Sequence, residues 1–512
     1  MKLRRLRDLL AVMGSSALLA GCMVGPDFVR PDSHLPEVSF QNENIKPVAD
    51  SKLPAPTDPM WWRVFRDPVL TKLEEQVAAA NLDVQTATLR LAESRFQRGV
   101  TAAAQFPSLN GNAKYTRELY SQNGIVSLIT PLAGPGFAID PINDYNTGLD
   151  ASWEIDLWGK VRREVESADA SVDQAADQRR DALVSSLAEL ARDYIQLRGV
   201  QTQIKIANDN LKVDRDVLSL AQERQQRGLQ NALDVENAAA QVESVRAQIP
   251  QLQQQESEYI NALSFLLDEP PGSLRSMVGT QTSVHTGPPR IPLGIPSELA
   301  QRRPDIRAAE DQLHAATANI GVAIGDFYPS IQFNGTVGFD ALDIKKLYDV
   351  HSLQYNFGPS VSLPIFAGGR LRSTLNLRDT QQVEAAINFR KTVLQAWHEV
   401  VNALVAHRLE MRRRARLNAQ AEHARTALDL ARARYNDGVT DFLNVLDAER
   451  TLLQAQQQYA TSTTNVSLDL VQLFKALGGG WETEFPDVPS ETVAVTPVSA
   501  HQIDTPASPV LQ

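Results

Sequence analysis

Four stretches of the chain alternate between apolar and polar residues with a period of two. From Tyr145 to Leu157, one side carries Tyr145, Thr147, Leu149, Ala151, Trp153, Ile155 and Leu157, and the other Asn146, Gly148, Asp150, Ser152, Glu154 and Asp156. Leu109, Ala113 and Tyr115 oppose Asn110, Asn112 and Lys114, and Ile331, Phe333, Val337 and Phe339 oppose Gln332, Asn334 and Thr336. Tyr355, Phe357, Val361, Leu363 and Ile365 oppose Asn356, Ser360 and Ser362. Side chains alternate across a strand, so the period predicts four β-strands, each with one apolar and one polar face. Segments of about 10 residues with this pattern suit strands that cross a bilayer between lipid and water. A soluble sandwich with one packed face has the same period. Four strands are too few to close a barrel with a lumen, and an open edge cannot lie in lipid, so the membrane reading requires several chains. Three copies give 12 strands, an even antiparallel number.

The rest of the chain reads as helix. Residues 162–227 contain no proline and one glycine, Gly199, and residues 370–437 contain no proline. A helix of some 65 residues is roughly 100 Å long, several times the thickness of a bilayer. The composition is rich in Ala, Gln, Arg, Glu and Leu, with small residues such as Ala168, Ala170, Ala175 and Ala176, which predicts coiled-coil or helix-barrel packing. The expected fold class is therefore mixed and mostly α.

The chain also repeats itself. Phe106-Pro107-Ser108-Leu109 recurs as Tyr328-Pro329-Ser330-Ile331, an offset of 222, and Tyr145-Asn146-Thr147-Gly148 recurs as Tyr355-Asn356-Phe357-Gly358, an offset of 210. The second offset then pairs Gly228 with Gly438, Leu233 with Leu443, Val235 with Val445 and Leu267 with Leu477. A tandem duplication follows, with 12 residues inserted in the first half, assigned to a surface loop over 120–141. The expected divisions are a signal peptide (1–21), an N-terminal linker (22–60), two repeats (61–287 and 288–484) and a disordered tail (485–512).

The N-terminus supplies a compartment. Lys2, Arg4, Arg5 and Arg7 precede an apolar run of about 12 residues, Leu9 to Ala20, the layout of a secretory signal and too short to span a bilayer. Leu19-Ala20-Gly21-Cys22 then places the single cysteine of the chain at the cleavage point, which resembles the bacterial lipobox and implies acylation of Cys22. Met23 rather than Asp after it implies, by the same resemblance, passage to the outer membrane. Taking four cations and one acid from totals of 50 and 61 leaves 46 basic and 60 acidic residues in the mature chain, which argues against nucleic acid as a partner. No later stretch is apolar for about 18 residues, so a membrane crossing must be made by a β-barrel. The eight histidines show no metalloprotease spacing, and neither a nucleophile elbow nor a phosphate-binding glycine loop is present. Neither catalysis nor a metal or other cofactor is expected.

Five motifs, in order along the chain, resemble the lipoprotein branch of the TolC/OprM outer-membrane efflux factor family. They are Cys22-Met23-Val24-Gly25-Pro26-Asp27-Phe28, Asn81-Leu82-Asp83-Val84-Gln85, Arg302-Arg303-Pro304-Asp305-Ile306-Arg307, Leu363-Pro364-Ile365-Phe366-Ala367-Gly368-Gly369-Arg370 and Gly438-Val439-Thr440-Asp441-Phe442-Leu443 running on to Arg450. The resemblance implies a homotrimer with a 12-stranded barrel in the outer membrane and a helical barrel in the periplasm. It also implies docking to a periplasmic adaptor and an inner-membrane pump of the RND type, and conduction of drugs or other small molecules. An exit duct for a non-drug export system fits the same features, and a lipid-tethered periplasmic scaffold fits all but the strands.

The mouth is expected at the two helix-turn-helix tips, around Gly228 and Gly438. The family's aperture residues align with Leu443, Asp447 and Arg450, spaced to share one helix face. Leu443 then gives an apolar constriction, Asp447 a charged ring and Arg450 a partner that holds the ring shut. The alternative for Asp447 and Arg450 is an ordinary surface pair. The first-half equivalents are Leu233, Asn237 and Ala240, which lack the charges. Asp150, Glu154 and Asp156 are expected to face the lumen. Trp153, Trp158, Tyr115 and Tyr355 suit a membrane interface, and Trp61-Trp62 is expected to pack the linker on the body.

Overall fold

A computed structural model describes residues 23–31, 59–121, 140–228, 231–279 and 302–486. Cys22, residues 32–58 of the linker, most of the 120–141 insertion, residues 280–301 and the tail beyond Pro486 lie outside the described residues. The first repeat comprises α1 (Pro68–Ala80), α2 (Leu82–Ala102), β1 (Ser108–Glu118), β2 (Ile142–Glu154), α3 (Lys160–Gln226), α4 (Ala232–Leu266) and the single turn α5 (Arg275–Val278). The second has α6 (Pro304–Gly325), β3 (Ser330–Ala341), β4 (Leu353–Ser362), α7 (Arg370–Asn436) and α8 (Phe442–Ala476). The duplication is exact in its helix pairs: α3 and α7 each have 67 residues, and α4 and α8 each have 35.

The four strands form one antiparallel sheet in the order β1-β2-β3-β4. The two repeats meet at its centre, where β2 pairs with β3. The register places odd-numbered residues opposite one another throughout. One row runs Gly111, Leu149, Val337, Tyr355 and the next Leu109, Ala151, Gly335, Phe357. The apolar faces of all four strands thus fall on one side of the sheet and the polar faces on the other. Leu109, Tyr115, Leu149, Phe333, Val337, Tyr355, Phe357 and Val361 are all exposed in the protomer. Among the described residues no helix is long and apolar enough to cross a membrane. The apolar sheet face has the alternation of strands that lie between lipid and water. The edges left open within one chain are β1 and β4. Three copies joined β4 to β1 close the barrel and satisfy both edges.

Two strand ends differ from the sequence reading. The alternation runs on to Leu157 and Ile365, but β2 stops at Glu154 and β4 at Ser362. Pro364 has no N–H to give to a ladder. Asp156 turns instead to the start of α3, where its carboxylate accepts from the Arg162 backbone N–H (3.0 Å) and Nε (3.3 Å). Of the four alanines singled out in α3, only Ala170 is buried within the protomer.

The main core lies part-way along the long helices, where α1, α3, α4 and α8 pack round Trp61, Phe65, Leu73, Leu190, Ile260 and Phe474. Trp61 stacks on Phe474 with ring centres 5.3 Å apart, so this aromatic pair is part of the body's own core. At the far end of that core, Arg180 lies over Trp481 and Arg179 over Phe485, holding the last described turn against α3.

Candidate functional site

The helix tips are built by glycine. Gly438 has φ +71° and Gly228 φ +72°, a left-handed conformation that only glycine adopts without strain. At the second tip the Gly438 N–H donates to Tyr435 O (3.1 Å) and the Val439 N–H to Arg434 O (2.9 Å), the two bonds that close a helix through a glycine. Asn231 starts α4 by accepting from the Leu233 N–H (3.2 Å). The two hairpins then pack together through Ala221, Ala238, Phe442 and Leu446, which are all buried. Tyr435 lies against Phe442 and beneath the Arg224 guanidinium.

Burial of Phe442 and Leu446 turns the next residue of each turn outward. Leu443 is 55% exposed, and Asp447 is exposed beside it. Arg450, one turn further on, does not pair with Asp447 within the protomer. Its Nε donates to Oε1 of Gln241 on α4, at 3.0 Å. Gln241 in turn donates to Asp214 of α3 (3.5 Å), and the neighbouring Glu449 accepts from Arg432 of α7 (2.7 Å). Burial pushes the carboxyls of Asp214 and Glu449 above their ordinary range, against the opposing pull of Arg432. All four long helices are therefore tied by polar contacts just behind the tips. Gln241, Asp214, Glu449 and Arg432 were not legible as a group, because they come from four helices with no common local pattern.

On the barrel wall, Asp150 sits in the polar row Asn110, Asp150, Thr336, Asn356 and accepts from the Asn112 side chain. Glu154 shares its row with Gln332 and Ser360. Asp156 lies beyond the strand, in its bond to Arg162. Tyr115 lies tilted against Tyr145 with ring centres 4.9 Å apart, Trp158 stacks on Tyr328 at 4.9 Å while its Nε1 donates to Pro329 O (2.8 Å), and Tyr355 lies part-way along the wall in the row of Leu149 and Val337.

The outer membrane efflux protein family model matches residues 73–268 and 295–479. The chain belongs to the outer membrane efflux protein family. It is 31% identical over 476 residues to the toluene efflux pump outer membrane protein TtgF of Pseudomonas putida, covering 91% of this chain and 96% of that one. The cation efflux system protein CusC of Escherichia coli O6:H1 is 29% identical over 470 residues, 91% and 97% of the two chains. Among solved structures, the outer-membrane channel OprN superposes with a TM-score of 0.80 at 32% identity, covering 90% of this chain and all of that one. This efflux protein is the outer-membrane subunit of a tripartite pump. It assembles as a trimer and receives its cargo from an inner-membrane transporter through a periplasmic adaptor. Its relatives are efflux channels, not enzymes.

Proposed function

We propose that the periplasmic mouth of this channel is gated by Leu443 and Asp447, and that Arg450 sets its resting position. The observation that carries the reading is the outward placement of Leu443 and Asp447 next to the buried Phe442 and Leu446, with Arg450 held by Gln241. Around a threefold axis, three Leu443 side chains form an apolar constriction and three Asp447 carboxylates a ring of charge. The Arg450–Gln241 bond joins one hairpin to the other, so widening the mouth requires that bond to break or to move as a unit. Gly228 and Gly438 each hold the turn of one tip. Cys22 is the lipidated residue, and Asp150 and Glu154 face the lumen. The repeats run over 61–287 and 288–484, with 22–60 as the segment between lipid and body.

Relatives named for toluene and for cations match this chain at nearly equal identity. That supports a duct that makes and breaks no bond and leaves the choice of cargo, drug or otherwise, to the inner-membrane pump. The test is planar-bilayer conductance of the purified trimer. Asp447→Ala and Arg450→Ala raise the resting conductance if these residues close the mouth; an unchanged closed-state current removes them from the gate.

A further inference from the structure

The segment behind the acylation site is seated rather than loose. The Val24 N–H donates to Trp158 O at 3.0 Å. Arg163, in the first turn of α3, is 1% exposed and spends its guanidinium largely on this segment. Nε donates to Val24 O (3.2 Å), Nη2 to Gly25 O (3.3 Å) and to Asp27 Oδ1 (2.6 Å), and Nη1 to Glu166 (2.7 Å). Phe28 stacks on His314 of α6 with ring centres 4.4 Å apart, and Arg30 pairs with Glu310 of α6 at 2.8 Å. Contacts at Gly321, His314 and Glu310 descend α6 over about 16 Å at 1.5 Å per residue, while Gly25 to Arg30 spans about 17 Å if extended. The strap therefore lies along α6, antiparallel to it, and reaches α3 through Arg163.

The second repeat differs in sequence at the matching position. Offsets of 210 and 222 make Ser373 the counterpart of Arg163, Gly369 that of Gly159, and Gly99 that of Gly321. A Cβ on Gly159 lies 2.6 Å from Met23, one on Gly321 lies 2.8 Å from Arg163, and one on Gly25 lies 2.4 Å from the Cα of Gly321. The junction covered by the strap is crowded, and Ser373 stands in the second repeat where this junction carries the arginine. A buried guanidinium needs its acceptors, and here three of them are supplied by residues 24, 25 and 27.

We propose that residues 23–31 are a latch, keyed by Arg163 and by the Gly25–Gly321 contact, that clamps α3 of the first repeat to α6 of the second at the rim of the barrel. On the reading of Cys22 as the acylated residue, the latch begins at the residue that follows the lipid. The occupant of the α3–α6 groove is thus the chain's own N-terminus, once per protomer.

The test is chymotryptic cleavage of the Phe28–Val29 bond in the full-length, detergent-extracted trimer. Melting of the SDS-resistant trimer is followed in parallel, and the N-terminus is identified by mass spectrometry. Gly25→Ala, at φ +95°, and Asp27→Ala change residues of the strap alone. The strained backbone at Gly25 is expected to raise the cleavage rate about tenfold, and both variants to lower the melting temperature. Arg163→Ser, which gives the first repeat the residue of the second, produces the same cleavage phenotype if it folds. Wild-type cleavage rates and melting in Gly25→Ala and Asp27→Ala overturn the latch, as does a wild-type strap that is cut as fast as an unfolded peptide. An unacylated Cys22 with the expected cleavage pattern leaves the latch standing and removes only the lipid reading.

Discussion

Tyr194→Phe isolates a single buried oxygen in the core between α1 and α3. The Tyr194 side chain is 0% exposed. Its hydroxyl donates to Oδ2 of Asp67 (2.7 Å) and accepts from Nε (3.0 Å) and Nη2 (2.8 Å) of Arg198. Asp67 is itself buried and starts α1 by accepting from the Val69 N–H (2.8 Å) and the Leu70 N–H (3.2 Å). Phenylalanine keeps the ring and its packing, so no cavity of consequence opens. What is lost is a donor to a buried carboxylate and an acceptor for a guanidinium. Hydrogen bonds to charged groups contribute roughly 1.5–3 kcal/mol each, and the guanidinium keeps its place over the ring, so the expected loss is about 3 kcal/mol per protomer. That corresponds to roughly a hundredfold in the unfolding constant. Trp61, Trp62 and Trp481 report on this core, so guanidinium titration of the detergent-solubilised trimer by tryptophan fluorescence reads the effect. A cycle with Asp67→Ala should show coupling of at least about 1 kcal/mol. Burial and the Asp67 carboxylate push the phenol above its usual range. Its folded pKa exceeds the unfolded one, so its contribution is present below about pH 10 and declines above it. Tyr194→Phe should therefore flatten the alkaline loss of stability. A variant within about 0.5 kcal/mol of wild type, with the alkaline limb unchanged, refutes the network.

Two further outcomes follow from single contacts. A Cβ on Gly199 of α3 would lie 2.6 Å from Oγ1 and 2.9 Å from Cγ2 of Thr464 on α8, so Gly199→Ala should cost roughly 1–3 kcal/mol by overpacking. Thr464→Ala in the same chain should restore trimer melting, and failure of that rescue removes the contact as the cause. Asp311 is pushed to about 7 by burial, then by Asp177, Asp173 and Glu310, with Arg307 opposing. A carboxyl raised above its unfolded value gives stability that is full below about pH 4 and is lost as pH rises through about 7. Asp311→Asn should therefore melt higher than wild type at pH 8 and close to it at pH 4, whereas parallel melting profiles across that range contradict the assignment.

The barrel wall was legible because its information is local. A period of two survives in each strand, and one parity holds across all four, so Leu149 and Val337 meet on the same face although 188 positions separate them. Strand ends were not legible, because the alternation outlasts the hydrogen bonding: Asp156 keeps the pattern but is used by Arg162. The tip face of Leu443 and Asp447 was readable from helical spacing, whereas the Arg450–Gln241 bond crosses 209 residues and leaves no local trace. Residues 22–60 were read as a linker, and the seat of residues 23–31 on the body left no local trace. That seat depends on Arg163, whose neighbours in sequence resemble any charged helix start.

Identical helix lengths in the two repeats have a consequence for whatever meets the tips. Three copies set six hairpins of equal reach about one axis, so the backbone frame is close to sixfold symmetric. The side chains are not: Asp447 alternates with Asn237, and Arg450 with Ala240. Any ring that docks end-on therefore meets two kinds of landing site in alternation. A six-membered ring must tolerate inequivalent neighbours. A three-membered ring must choose between two orientations a sixth of a turn apart, and the charged positions alone distinguish them.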